Sequence, residues 1–123
     1  MPIHVASFKK LQPYLDQHLG TIYGIELQLY SDELRAAGTM DLFGVWKNQL
    51  TIIDFKTSLR VKKQEHIGHY FVQATAYSMM LKEVYGIDVP RLCIMIMVDG
   101  HEVQLFEKDC QRFHALTKKI FSL

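Results

Sequence analysis

The stretch that most constrains this chain is residues 38–58, GTMDLFGVWKNQLTIIDFKTS. It reads as two β-strands separated by the polar break Lys47-Asn48-Gln49, and each strand carries an ionisable group where a buried strand should be apolar. On the second strand the two-residue period puts Leu50, Ile52, Asp54 and Lys56 on one face and Thr51, Ile53, Phe55 and Thr57 on the other. Asp54 and Lys56 therefore point the same way. On the first strand Asp41, Phe43 and Val45 share a face. A two-residue loop on Lys47-Asn48 pairs Trp46 with Gln49 and, counted back along both strands, sets Asp41 opposite Asp54. A loop on Asn48-Gln49 leaves the acids diagonal on one face, whereas a three-residue loop splits them across the sheet. The even loop is the expectation. Directly opposed side chains lie roughly 4.5–5.5 Å apart at Cβ. Two carboxylates at that distance repel, and one stays protonated unless a cation sits between them. That is the geometry of a divalent-metal site.

Gly-Thr-Met-Asp41, the run Ile52-Ile53-Asp54-Phe55-Lys56-Thr57-Ser58, and Gln73-x3-Tyr77 on a following helix occur in that order. Together they resemble the RecB-like exonuclease branch of the PD-(D/E)xK nuclease superfamily, which includes a mitochondrial genome-maintenance exonuclease and phage and viral exonucleases. The resemblance runs from about Gly24 to Val98. It implies an α/β (α+β mixed sheet) restriction-endonuclease-like core and a metal-dependent DNA exonuclease of replication, repair or recombination. Asp41, Asp54, Lys56, Glu26, Gln73 and Tyr77 would form the catalytic set. Mg²⁺ or Mn²⁺ would be held by Asp41, Asp54, Glu26 and the carbonyl of Phe55. Glu26 enters because the resembling exonucleases carry a glutamate on the strand before the G-x-x-D aspartate; Asp32 and Glu33 are further oxygen donors in the next loop. Lys56 would orient the attacking water or hold the phosphate, an electrostatic role rather than that of a general base. Gln73 would bond a phosphate or orient an active-site group, and Tyr77 would pack beneath the catalytic strand or bond a scaffold carbonyl. The larger relatives add an N-terminal helical region with a histidine, for which His18 is the candidate. They also carry extra helices enclosing single-stranded DNA, for which this chain has no counterpart. The implied partners are DNA with single-stranded ends, and a second copy or a replication or recombination protein.

Charge distribution bears on the same site. The net charge is only +1, yet Lys56, Arg60, Lys62 and Lys63 fall within eight residues. Beside a carboxylate cluster they read as a phosphate-contacting rim, joined by Thr57, Ser58, His69 and Gln73. His66-x-x-His69 has no further His or Cys to complete a metal set, and hard carboxylates suit Mg²⁺ better than imidazoles do. With two cysteines, Cys93 and Cys110, the chain lacks the four that an iron–sulfur cluster requires. Cys93 reads as a small buried hydrophobe. No run approaches the roughly eighteen apolar residues of a membrane span, and Met1 to Gly20 lacks a signal-peptide pattern. An intracellular setting is the expectation. At 123 residues the chain reads as a single domain, 1–123.

The remaining elements follow from periodicity. Ser7 to Leu19 reads as a helix with Ser7 as N-cap, Phe8, Leu11, Leu15 and Leu19 inward and Gly20 as the stop. Pro13 predicts a bend there, or a start at Leu11 or Gln12. Gly24 to Tyr30 reads as a strand with Ile25, Leu27 and Leu29 on one face and Glu26, Gln28 and Tyr30 on the other. A helix follows over Glu65 to Tyr85, with Ile67, Tyr70, Phe71, Ala74, Leu81, Val84 and Tyr85 as its buried stripe and Gly86 as its end. Arg91 to Val98 reads as a strand buried on both faces and Glu102 to Phe106 as its hairpin partner across Asp99-Gly100. Asp109 to Phe121 closes the chain as a helix with Phe113, Leu116, Thr117 and Ile120 inward. The order is α-β-β-β-α-β-β-α. Two other functions fit this pattern: a non-catalytic nucleic-acid-binding module that keeps the fold, and a metal-dependent hydrolase or interaction domain with a non-nucleic-acid partner.

Overall fold

A computed structural model describes residues 5–99 and 102–122, with side chains from Lys9 onward. Helix α1 (Val5–His18) leads into three strands, β1 (Leu19–Ser31), β2 (Ala36–Trp46) and β3 (Gln49–Ser58). A 3₁₀ turn (Gln64–His66) precedes α2 (Gly68–Tyr85), which crosses to β4 (Arg91–Val98). Strand β5 (Val103–Asp109), a second 3₁₀ turn (Cys110–Phe113) and α3 (His114–Phe121) complete the fold. The sheet order is β1-β2-β3-β4-β5. Strands β3 and β4 run parallel and the other neighbours antiparallel. The expected element order is the observed one.

The β2–β3 hairpin closes on the two-residue loop Lys47-Asn48, so Trp46 pairs with Gln49 and Leu42 with Ile53. Both loop residues have positive φ, 50° and 66°, as the primed turn of a two-residue hairpin demands. Two cores lie on opposite faces of the sheet. Under α2, Leu29, Met40, Phe43, Ile52, Leu92, Ile94 and Ile96 pack with Phe71, Ala74 and Leu81. Under α1, Leu11 packs with Leu42, Trp46, Ile53, Cys93, Met95 and Met97. Strand β4 alternates between the two cores and is buried on both faces. Gly86 ends α2 at φ 70°, with its amide turned back to Leu81 and Lys82, a left-handed cap that Gly adopts without Cβ strain.

The structure corrects several expectations. Helix α1 begins at Val5 and runs through Pro13, so Ser7 lies inside it; the side chains of Ser7 and Phe8 lie outside the described residues. Lys9 and Pro13 are both exposed, so water can serve the Lys9 carbonyl that Pro13 leaves without an amide. The helix stops at His18, and Leu19 and Gly20 already belong to β1. Tyr85, Leu116 and Ile120, expected inward, are exposed; at the C-terminal end the residues facing the core are Phe113, Thr117 and Phe121, four apart, so α3 is turned away from Leu116 and Ile120. The Asp99-Gly100 turn includes Gly100, which lies outside the described residues.

One departure shapes the site. Ile25 pairs with Leu42 and Leu27 with Met40, yet Leu42 enters the core under α1 and Met40 the core under α2. Residues two apart on one strand should share a face. Between them stands Glu26 at φ 49°, a left-handed conformation that interrupts the alternation and turns the β1–β2 ribbon over. Ile25, expected beside Leu27 and Leu29, is exposed as a result.

Candidate active site

The β2–β3 ladder ends at Leu42 and Ile53, although both strands continue: β2 back to Ala36 alongside β1, and β3 on to Ser58 alongside β4. The sheet forks there. Asp41 and Asp54 are the next residues on each side, the register neighbours expected from a Lys47-Asn48 loop. In an antiparallel pair, amide donors facing the partner strand recur every second residue. The next on β3 is Phe55 N–H, which would reach the Met40 carbonyl; instead it donates to Asp41 Oδ2 at 2.9 Å. A carboxylate takes the place of a rung, which satisfies the amide and fixes Asp41 in the crotch of the fork.

Asp54 is buried, only 4 % exposed. Burial first, and then the adjoining Asp41 carboxyl, raise it from 3.8 to about 7, against the lowering pull of Lys56. Near neutral pH Asp54 is thus partly protonated in the absence of a cation. Lys56 Nζ stands 3.0 Å from Asp54 Oδ2 as an ion pair, and among the described residues this buried oxygen has no other polar partner. A buried carboxylate oxygen whose partner is a single ammonium, beside a second carboxylate, is a fit for a hard divalent cation. Mg²⁺ commonly takes one or two protein carboxylates and completes its shell with water and substrate phosphate. Among the described residues no third Asp, Glu, His or Cys side chain joins the pair in a metal-sized cluster.

Lys56 also donates to Gln73 Oε1 at 2.9 Å, and Gln73 Nε2 donates to the Tyr77 hydroxyl at 3.3 Å. The direction of this relay is fixed chemically: an ammonium can only donate, so the amide must turn its oxygen to Lys56 and its nitrogen to Tyr77. Tyr77 is buried; desolvation, then the charges of Asp54 and Asp41, hold its hydroxyl above the usual phenol range. Its ring lies against Gly38, where an added Cβ would stand 3.0 Å from a ring carbon and 3.1 Å from the hydroxyl oxygen. The glycine of Gly-Thr-Met-Asp41 thus makes room for the tyrosine of Gln73-x3-Tyr77.

The structure brings Asp41, Asp54, Lys56, Gln73, Tyr77 and the Phe55 amide together. It does not bring Glu26 in: although it lies across the β1–β2 register from Asp41, its left-handed backbone leaves it exposed. Asp32 and Glu33 are exposed in the β1–β2 turn, where their amides donate to Glu83. The Ser58 hydroxyl is engaged within its own loop, donating to the Arg60 carbonyl at 2.6 Å and accepting the Arg60 amide. Gln104 grips the Lys62 backbone from both sides, at 2.8 Å each. Thr57 near the end of β3, and Arg60 and Lys63 in the segment leaving it, are exposed, and His69 packs its ring on Tyr70, centroids 4.2 Å apart. Sequence reasoning missed Tyr70, whose ring lies beneath Lys56 Nζ at 4.9 Å. The signal was available: residues 70, 73 and 77 share one helix face. It also missed Glu83, which ties the β1–β2 turn to α2 by accepting Ser31 Oγ–H at 2.9 Å and the Asp32 and Glu33 amides.

No family model matches this chain, and no curated protein does. Among solved structures it is similar to a Eubacterium rectale protein named “putative exonuclease”, with a TM-score of 0.53 and 10% identity. The alignment covers 93% of this chain and 51% of that one, so the chain spans about half that protein's length. At this identity the likeness is one of fold. With the five-stranded mixed sheet and its flanking helices, it gives a mixed α/β fold of the restriction-endonuclease-like kind. No helix among the described residues is long and apolar enough to cross a membrane.

Proposed function

We propose that this chain is a nuclease of the RecB-like PD-(D/E)xK type, hydrolysing phosphodiester bonds of DNA with Mg²⁺ or Mn²⁺. The observation that carries the reading is the paired Asp41 and Asp54 at the fork, one oxygen of Asp54 buried with the Lys56 ammonium, 3.0 Å away, as its partner. The fold likeness to a protein named for exonuclease activity supports it.

Asp41 and Asp54 would hold the cation, with water and substrate phosphate completing the shell; Glu26 would join only by turning inward. A divalent cation there supplies polarisation of the scissile phosphate and an acidified water at neutral pH. The Phe55 amide keeps Asp41 aimed at Asp54. Lys56 presents a positive charge beside the reacting phosphate, where charge builds during displacement. Gln73 fixes that ammonium, and Tyr77 fixes Gln73. Arg60 and Lys63, with Thr57 and His69, would contact the DNA backbone on the way in. The substrate end, and a role in replication, repair or recombination of cellular, phage or viral DNA, belong to this proposal.

End-labelled single- and double-stranded oligonucleotides, incubated with the protein and Mg²⁺, Mn²⁺ or EDTA, test it, with Asp54→Ala and Lys56→Ala alongside. Metal-dependent cutting abolished by EDTA and by both substitutions is the expected result. Binding without cutting would point to a nucleic-acid-binding module instead. Cutting that survives Asp54→Ala would place the chemistry elsewhere.

A further inference from the structure

The Lys56 ammonium is enclosed on three sides: Asp54 Oδ2 at 3.0 Å, Gln73 Oε1 at 2.9 Å, and the ring of Tyr70, whose centroid is 4.9 Å from Nζ. The first two contacts are to oxygen and set where charge is balanced. The third is to a π-face and sets where the ammonium cannot go. We infer that Tyr70 is a positioning residue, its ring face holding Lys56 on Asp54 and Gln73. The catalytic consequence of this assignment rests on the nuclease reading; the positioning itself does not.

Three observations support it. A lysine side chain has four rotatable bonds and a strongly hydrated head, so one anion and one amide leave it rotamers that swing outward. The Tyr70 ring, 4.9 Å from Nζ, adds a surface that attracts a cation electrostatically and disfavours those rotamers. Next, the ring is itself immobilised. Tyr70 packs partly buried against the core under α2, and its amide donates to the Ile67 carbonyl at 2.9 Å in the first helical turn. The ring of the neighbouring His69 lies against it, centroids 4.2 Å apart and tilted by 54°. Finally, Tyr70, Gln73 and Tyr77 occupy one face of α2, so a single helix supplies ring, amide and hydroxyl as one rigid set against Lys56.

The experiment uses the full chain and reads Lys56 directly. Acetylation by an N-hydroxysuccinimide ester, followed by peptide mass spectrometry, reports how far the amine escapes its pocket. In Tyr70→Phe, which keeps the ring face, Lys56 should react within about twofold of the wild-type rate. In Tyr70→Leu it should react about fivefold faster, while kcat on an oligonucleotide falls about tenfold and KM stays within about twofold. Pentafluorophenylalanine at position 70 keeps the shape but reverses the charge of the face, and should behave like Leu; it also serves if Tyr70→Leu fails to fold. Lys56 reacting as slowly in Tyr70→Leu as in wild type overturns the inference, as does a fluorinated ring that behaves like Phe. Raised reactivity with unchanged kcat overturns its catalytic consequence. If the wild type cuts no DNA, the nuclease reading fails while the acetylation rates still decide the positioning.

Discussion

The backbone amide of Phe55 donates to the carboxylate of Asp41, 2.9 Å away and fourteen residues earlier in the chain, at the point where the β2–β3 ladder stops. This bond makes one side chain both the end of a sheet and one half of an acid pair. The two roles are separable by substitution.

Asparagine at position 41 keeps an oxygen for the Phe55 amide and discards the charge, whereas alanine discards both. Urea unfolding should find Asp41→Asn close to wild type and Asp41→Ala less stable by about 1–2 kcal/mol, the cost of an unsatisfied half-buried amide. Both should lose at least about 100-fold in DNA cleavage if the acid pair holds the cation. An Asp41→Asn protein that cuts at the wild-type rate would remove Asp41 from the chemistry.

The raised Asp54 sets a pH dependence of stability in the cation-free protein. Its folded value, about 7, lies above the ordinary 3.8, so the folded state binds this proton more tightly than the unfolded chain does. The resulting stabilisation is complete below the ordinary value and is lost as pH rises through about 7. Against Asp54→Asn, which is neutral throughout, wild type should therefore lose stability across that window, by on the order of a few kcal/mol at about 1.4 kcal/mol per pH unit. Denaturant unfolding of both proteins in EDTA from pH 4 to 8 checks this. Parallel curves would mean that Asp54 is not desolvated as described.

Glu83 behaves oppositely. Three hydrogen bonds from the β1–β2 turn, the Asp32 amide foremost, hold its carboxyl below the usual range. A depressed folded value gives stabilisation that is present above the unfolded value and lost as pH falls through the folded one. Glu83→Gln should lower Tm at pH 7, with the gap to wild type closing in acid; thermal melts across pH 2.5–7 read it. A gap that widens in acid would contradict the latch.

Gly38→Ala should act at a distance from the acids. A Cβ 3.0 Å from the Tyr77 ring forces the ring to shift, at about 1–3 kcal/mol for overpacking, and the shift should pass through Gln73 to Lys56. The expected readout is a lower kcat with Mn²⁺ affinity, measured by calorimetry, unchanged. Loss of Mn²⁺ binding instead would show that the fork itself had moved.

Much of the architecture could be read from residue order because the rules involved are short-ranged. A two-residue loop on Lys47-Asn48 sets the register of everything that follows it back along β2 and β3, so the approach of Asp41 to Asp54 was countable. The shared face of Asp54 and Lys56, and the burial of β4 on both sides, likewise follow from period alone. The same counting failed at Glu26, where a non-glycine residue sits at φ 49°. Nothing in Ile25-Glu26-Leu27 announces that conformation, and the alternation that predicts faces assumes it does not occur. Pro13 misled in one of its two readings: a helix start at Leu11 or Gln12 did not occur, because α1 begins at Val5 and carries the proline on an exposed face where water can serve the carbonyl it leaves.

What the sequence by itself determined was the order of helices and strands, the place of the hairpin turn, and which ionisable groups share a strand face, since each depends on neighbours within a few residues. The tertiary structure alone decided where the sheet forks, that Glu26 stays outside the acid pair, that Glu83 ties down a turn some fifty residues away, and that Tyr70 lies under Lys56. Those outcomes depend on which strand β3 pairs with next and on how α2 packs across the face it leaves open. Both are contacts between segments distant in the chain, where the favourable energy comes from burial that no local pattern encodes.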